Sequence, residues 1–192
     1  VGEGPNSTTI TSSDATGPVA QTADSLQQVD ATVGSNSAIR PSYITIEGMS
    51  FTSTTDIDTF VVDQAKGCTF TNCAFAGPNT TVPTTVGNSK ANVLLSSTGS
   101  HETEFVTFRN CTMHGQNFNV IADNDMKSVL FDSCNFYTAF KGIKIGESIT
   151  GSVPSILGPK GIKVTGGLFN GHYSNAIHVY SGAIDFVSAY NY

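Results

Sequence analysis

The chain has 192 residues, 12% of them charged, no Trp, and a net charge of -6 at neutral pH. That length allows one domain with a sizeable core, and abundant Ser, Thr, Asn and Gly suit a β-solenoid with a polar, uncharged exterior rather than a helix bundle or a disordered chain. Arg40 and Arg109 are the only arginines, so the basic face that a nucleic-acid partner needs is missing, and no segment is long and apolar enough to span a membrane.

The run Gly2-Glu3-Gly4-Pro5-Asn6-Ser7-Thr8-Thr9-Ile10-Thr11 reads as a Gly/Pro turn leading into one strand. Ser12 to Arg40 is a polar Ser/Thr/Asp stretch with scattered Leu26, Val29 and Val33. Residues 1–41 are therefore expected to form an N-terminal strand and a long excursion before the first full repeat. No signal peptide is visible; the chain starts at Val1 rather than Met, so a preceding segment is where one would lie.

From Ile44 onward a nonapeptide recurs. Its copies are Ile44 to Thr52, Cys68 to Ala76, Val106 to His114, Val129 to Tyr137 and Ile162 to Asn170. In each, positions one and three are apolar and position two is mostly polar, the period-two signature of a strand with one buried face. Position five is Gly, Asn or Ser, residues suited to a sharp corner, after which positions six and eight turn inward again. The unit reads as strand, corner, strand. Successive copies start 24, 38, 23 and 33 residues apart; the shorter steps set a period of about 22 to 24 residues per coil, and the longer ones carry insertions. This fits one coil of a three-stranded parallel β-helix better than a leucine-rich repeat, whose consensus is absent.

A third strand is expected between copies, at Phe60/Val62, Val93/Leu95, Val120/Ala122, Ile143/Ile145 and Ile177/Val179. The same spacing places a sixth, incomplete copy at Ile184 to Ala189, followed by Tyr190 to Tyr192. An uncapped solenoid exposes a sheet edge. Residues 42–192 are thus expected to be β-helix coils cut from a longer chain, truncated at both ends.

Cys73, Cys111 and Cys134 share position six, so their side chains should stack inside at about 4.8 Å, the strand spacing. Buried free Cys behaves as a small apolar residue, which predicts a reduced, inert ladder and folding in a reducing compartment. Zinc is not expected, because the ligand spacings are wrong and no His shares the ladder.

If the third-strand pairs point inward, the outward positions are Val61 and Asp63, Leu94 and Ser96, Ile121 and Asp123, Lys144 and Gly146, and His178 and Tyr180. One face then collects Asp63, Asp123, Lys144, His178 and Tyr180, bordered by insertions at residues 77–91 and 146–160: a polar groove. Asp63 and Asp123 stand two coils apart, about 10 Å between backbones, near the carboxyl separation of inverting glycosidases, and are the candidate catalytic pair. Lys144, His178 and Tyr180 are candidate substrate-binding groups, His178 and Tyr180 as proton-transfer or sugar-stacking side chains. The plain alternative is a solvated solenoid surface. Asp123-Asn124-Asp125 resembles part of a calcium loop without its later Gly and Glu, so a turn is the better reading. His101-Glu102-Thr103-Glu104 reads as a solvated loop rather than a metal site. Asn79 and Asn110 head Asn-x-Thr sequons, the second at an expected buried corner that disfavours glycosylation. No cofactor is implied.

The opening run from Gly2 to Ile10, followed by repeats carrying Phe-x-Asn-Cys-x-Phe at Phe70 to Phe75, resembles the pectate-lyase-like right-handed β-helix superfamily, which includes pectinases, polysaccharide lyases, epimerases and bacteriophage tailspikes. The resemblance implies an all-β, right-handed parallel β-helix with an asparagine ladder at Asn72 and Asn110, interrupted by Gly48, Ser133 and Gly166. The opening is similar to that of plant-type pectin methylesterases, but their Gln-Asp and Asp-Phe-Ile-Phe-Gly segments are absent. The paired aspartates of polygalacturonases and the Arg-x-Pro-x-x-Arg setting of pectate lyases are missing too; Asn170-Gly171-His172-Tyr173 and Arg40-Pro41 are distant echoes.

The resemblance leaves three functional expectations. The first is a homotrimeric bacteriophage tailspike or tail-fibre segment that binds, or binds and depolymerises, host surface polysaccharide, assembled in the host cytoplasm and working on the virion tail. The second is a secreted polysaccharide lyase, hydrolase or epimerase. The third is a non-catalytic structural or adhesive solenoid.

Overall fold

A computed structural model describes residues 9–12, 20–21, 42–85, 87, 89–97, 102–123, 126–146, 158–180 and 182–192. Among these residues the structure is all β, and every strand pairing is parallel. The expected N-terminal strand is β1 (Thr9–Ser12), with β2 (Ala20–Gln21) after it; the rest of the N-terminal excursion, including Leu26, Val29, Val33 and Arg40-Pro41, lies outside the described residues.

Each nonapeptide supplies two strands. Its first half forms β3 (Thr45–Glu47), β6 (Thr69–Thr71), β10 (Thr107–Arg109), β14 (Leu130–Asp132) and β17 (Lys163–Thr165), joined in one sheet that ends at β20 (Val187–Ala189). The second half forms β4 (Ser50–Ser53), β7 (Ala74–Ala76), β11 (Thr112–His114), β15 (Asn135–Ala139) and β18 (Leu168–His172), which extend β1 into a second sheet. The expected third strands are β5 (Phe60–Asp63), β8 (Ala91–Ser96), β12 (Phe118–Ala122), β16 (Lys141–Ile145) and β19 (Ile177–Val179), which with β2 make the third sheet. Register follows the repeats: Thr45 faces Thr69, Thr69 faces Thr107, Thr107 faces Leu130, and Leu130 faces Lys163. Parallel strands in stacked sheets are what a solenoid requires.

Stacking equivalent positions files like side chains together. The third-position rings of Phe70 and Phe108 stack at 4.7 Å, and those of Phe108 and Phe131 at 5.0 Å. The eighth-position pairs Phe51 with Phe75 and Phe136 with Phe169 stack at 5.4 and 4.7 Å. Aromatic pairs in such offsets add to the large apolar area they remove from water. Cys73, Cys111 and Cys134 are free, buried and aligned, each thiol donating to the third-position carbonyl of the preceding repeat, Ile46, Phe70 and Phe108. The neighbouring Cys111 thiol, then burial, raises the Cys73 thiol far above its ordinary range, and the neighbouring Cys134 thiol, then burial, pushes Cys111 up to about 12.

The fifth-position corner is left-handed in every repeat, at Gly48, Asn72, Asn110, Ser133, Gly166 and Tyr190. A second left-handed column, unforeseen from the sequence, sits five residues earlier in each case, at Tyr43, Gly67, Phe105, Ser128, Gly161 and Asp185. Just before it runs a short ladder of Ser42, Lys66, Glu104, Lys127, Lys160 and Ile184, which includes the small sheet of β9 (Thr103–Glu104) and β13 (Met126–Lys127). This ladder corrects the sixth copy. Ile184 belongs to the bridging ladder, and because Lys163 faces Val187, the counterpart of Ile162 is Phe186. Asn110 is an exposed corner residue rather than a buried one, as is Asn72; buried asparagines lie elsewhere, at Asn92, Asn117 and Asn119.

Candidate functional site

The third sheet positions the candidate residues. Phe60, Val62, Val93, Leu95, Val120, Ala122, Ile143 and Ile145 all face the core, at 1% exposure or less. The outward column runs Val61, Leu94, Ile121, Lys144, His178, and the next runs Asp63, Ser96, Asp123, Gly146, Tyr180. The expected polar face has its exposed polar groups toward its last strands: Ala91, Phe118 and Ile121 form a separate apolar cluster with Leu94, and Val61, Asp63 and Ser96 are buried.

Asp63 is not a surface group. At 2% exposure it accepts from Ser96 Oγ at 3.0 Å and from Gln64 Nε2 at 3.4 Å. Asp123 is half-buried and ion-paired with Lys144, whose Nζ lies 3.1 Å from Oδ1. The two carboxylates share a column, as expected, but stand in different environments.

The upper end of the sheet brings together Lys144, His178 and Tyr180, and adds Lys141. His178 and Tyr180 stack with ring centroids 4.1 Å apart, and the Lys141 and Lys144 ammonium groups lie 5.7 and 5.8 Å from the Tyr180 ring centroid. Lys141 Nζ also approaches His178 Nδ1 at 2.8 Å and donates to Tyr180 Oη at 3.4 Å. An ammonium has only donors, so His178 Nδ1 accepts and the ring is neutral with its proton on Nε2. Desolvation, then Lys141, then Lys144 hold the His178 pKa below its ordinary range. With His178 neutral, two lysines face one aspartate, so the cluster carries one net positive charge in a chain whose total is -6.

Strict alternation hid Lys141, because its parity with Ile143 and Ile145 assigns it to the core. The strand pairing skips Gly142, as it does Asn92 and Asn119 in the preceding repeats, which marks a local bend. Asn119 points inward, its Nδ2 facing Asn92 Oδ1 and the carbonyls of Met113 and Tyr137 at 3.1 Å, while Asn92 donates to His114 O. The bend returns the preceding residue, Phe118 or Lys141, to the outer face.

Residues 77–85, 87, 89 and 90 flank the entry edge of this sheet. Gly77 N donates to His114 O and Asn79 N to Gly115 O; Lys90 pairs with Asp58 at 3.0 Å. Val82 reaches Gly171, where a Cβ would lie 3.6 Å from its methyl group. Most of the second insertion, at 147–157, lies outside the described residues, as do His101, Asn124 and Asp125. Among the described residues, Glu102 pairs with Lys127 and Glu104 with Lys66.

Compared with known proteins, the chain matches no family model, no curated protein and no solved structure.

Proposed function

We propose that the chain is a right-handed parallel β-helix of pectate-lyase-like type, with three short strands and about 22 to 24 residues per coil, that binds surface polysaccharide on the outer face of its third sheet. The observation that carries this reading is the cluster of Lys141, Lys144, His178 and Tyr180: two cations and two stacked rings on a solenoid of otherwise low charge. Rings offer faces to the apolar side of a pyranose, and lysines offer donors to hydroxyl and carboxylate oxygens, so an acidic glycan is the preferred ligand. Binding is favoured over carboxylate-pair cleavage because Asp63 is closed under Ser96 and Gln64 while Asp123 is held by Lys144.

Four buried free thiols suit a chain that folds in a reducing compartment. Together with the resemblance, this supports a bacteriophage tailspike or tail-fibre segment that assembles in the host cytoplasm as a homotrimer and acts on the virion tail. The test is an array of bacterial capsule and lipopolysaccharide glycans, probed with the wild type, Lys141→Ala and Tyr180→Ala. Wild-type binding to acidic glycans that both variants lose supports the reading. Absence of wild-type binding overturns it in favour of a structural solenoid, and release of new reducing ends or unsaturated sugars identifies the secreted-enzyme alternative. Light scattering tests the trimer.

A further inference from the structure

We infer that Phe140 and Tyr173 form a second stacking subsite for the same polysaccharide, so that the bound polymer runs from the corner before β16 across Lys141 toward Tyr180; this deepens, and rests on, the glycan reading above. Phe140 immediately precedes Lys141. Its ring stacks on that of Tyr173 with centroids 5.5 Å apart and planes 26° apart. Two observations separate this pair from the structural aromatics. Neither ring belongs to either apolar core cluster, unlike the rings of Phe70, Phe108, Phe131 and Phe136. Tyr173 is also 60% exposed, on a backbone fixed by Tyr173 N to Ala139 O and Ser174 N to Phe140 O.

A rigid backbone with a half-uncovered aromatic stack offers an apolar platform whose ordering cost is already met within the fold, which favours ligand stacking over free rotation. Its continuity with the cluster identifies the occupant. At about 3.3 Å per residue, the backbone of Phe140 is at most about 13 Å from that of Lys144. A polymer touching the lysines therefore passes the platform within a few sugar rings. His178 on Tyr180 and Phe140 on Tyr173 are two stacked pairs on either side of Lys141, one for each end of a short oligosaccharide.

The test uses size-fractionated oligosaccharides of a uronate-containing capsule polysaccharide that binds on the array, titrated calorimetrically against the wild type, Tyr173→Ala, Tyr173→Phe and Lys141→Ala. The expected result is a loss of about three- to tenfold for Tyr173→Ala with the longer oligosaccharides only, restored by Tyr173→Phe, and a loss at every length for Lys141→Ala. Wild-type affinity of Tyr173→Ala at all lengths overturns the subsite and leaves the lysine site standing. Unchanged binding by Lys141→Ala, or no capsule binding by the wild type, overturns the site reading and the subsite with it.

Discussion

His172 Nε2 lies 2.8 Å from Asn119 Oδ1, across the gap left by Gly142 in the strand between them. Since the Asn119 amide nitrogen faces carbonyl oxygens, Oδ1 is the acceptor and His172 donates from Nε2. A Cβ at residue 142 would meet Ala176 O at 2.2 Å and His172 Nε2 at 3.1 Å. Gly142→Ala is expected to cost about 1–3 kcal/mol through overpacking, and His172→Ala about 1–3 kcal/mol through the orphaned Asn119 oxygen. Urea denaturation checks both. Burial lowers the His172 pKa, so its contribution is present above about pH 6.5, the unfolded value, and is lost as the pH falls through the folded one. The acid-side fall in stability should be shallower in His172→Ala.

The buried thiols predict an alkaline limit. Cys68, Cys73 and Cys111 all have raised pKa values, so the folded chain keeps protons that the unfolded chain releases above pH 9. Their contribution is intact below that pH and declines above it, by up to about 1.4 kcal/mol per pH unit per thiol. Chemical denaturation from pH 8 to 11 should show the decline, weakened in Cys111→Ala. Iodoacetamide at pH 8 should label no ladder thiol until the chain unfolds.

Thr138 occupies a left-handed corner with φ 53°, in a column with Gly115 and Gly171. A β-branched residue pays strain there that Gly avoids, partly offset by the greater unfolded-state freedom of Gly. Thr138→Gly is expected to stabilise by up to about 1 kcal/mol, read as a raised melting temperature. Asn110→Val, at a left-handed corner where Asn is tolerated, should destabilise.

The two aspartates of the outer face should separate cleanly. Asp63→Ala removes the buried carboxylate that accepts from Ser96 Oγ and Gln64 Nε2 and is expected to cost about 1–3 kcal/mol of stability, while Asp63→Asn keeps glycan binding at the wild-type level. Asp123→Asn removes the competitor for Lys144 and is expected to strengthen acidic-glycan binding about twofold. Calorimetric titration and urea midpoints, measured on the same samples, distinguish the two roles.

The strand, corner, strand unit was legible because it repeats in residue type. Phe70, Phe108 and Phe131 share one position, and Gly, Asn and Ser share another. The earlier corner was not legible, because Tyr43, Gly67, Phe105, Ser128, Gly161 and Asp185 have only their backbone conformation in common. That omission misplaced the sixth copy at Ile184. On the outer face, alternation found Lys144, His178 and Tyr180 but missed Lys141, since the bend at Gly142 changes parity. It also left Asp63 looking open to solvent, because a period-two pattern gives a residue's direction and nothing about what covers it.

The two left-handed columns keep a separation of five residues while the distance between successive repeats changes from 23 to 38 residues. The short arc from Tyr43 to Gly48 and its equivalents acts as an invariant hinge plate, and extra length is shunted into the arcs around the third sheet. A peptide cassette spliced at residues 77–90 would inherit a rigid frame, and its reach over neighbouring strands would be set by its own length without disturbing the aromatic files beneath.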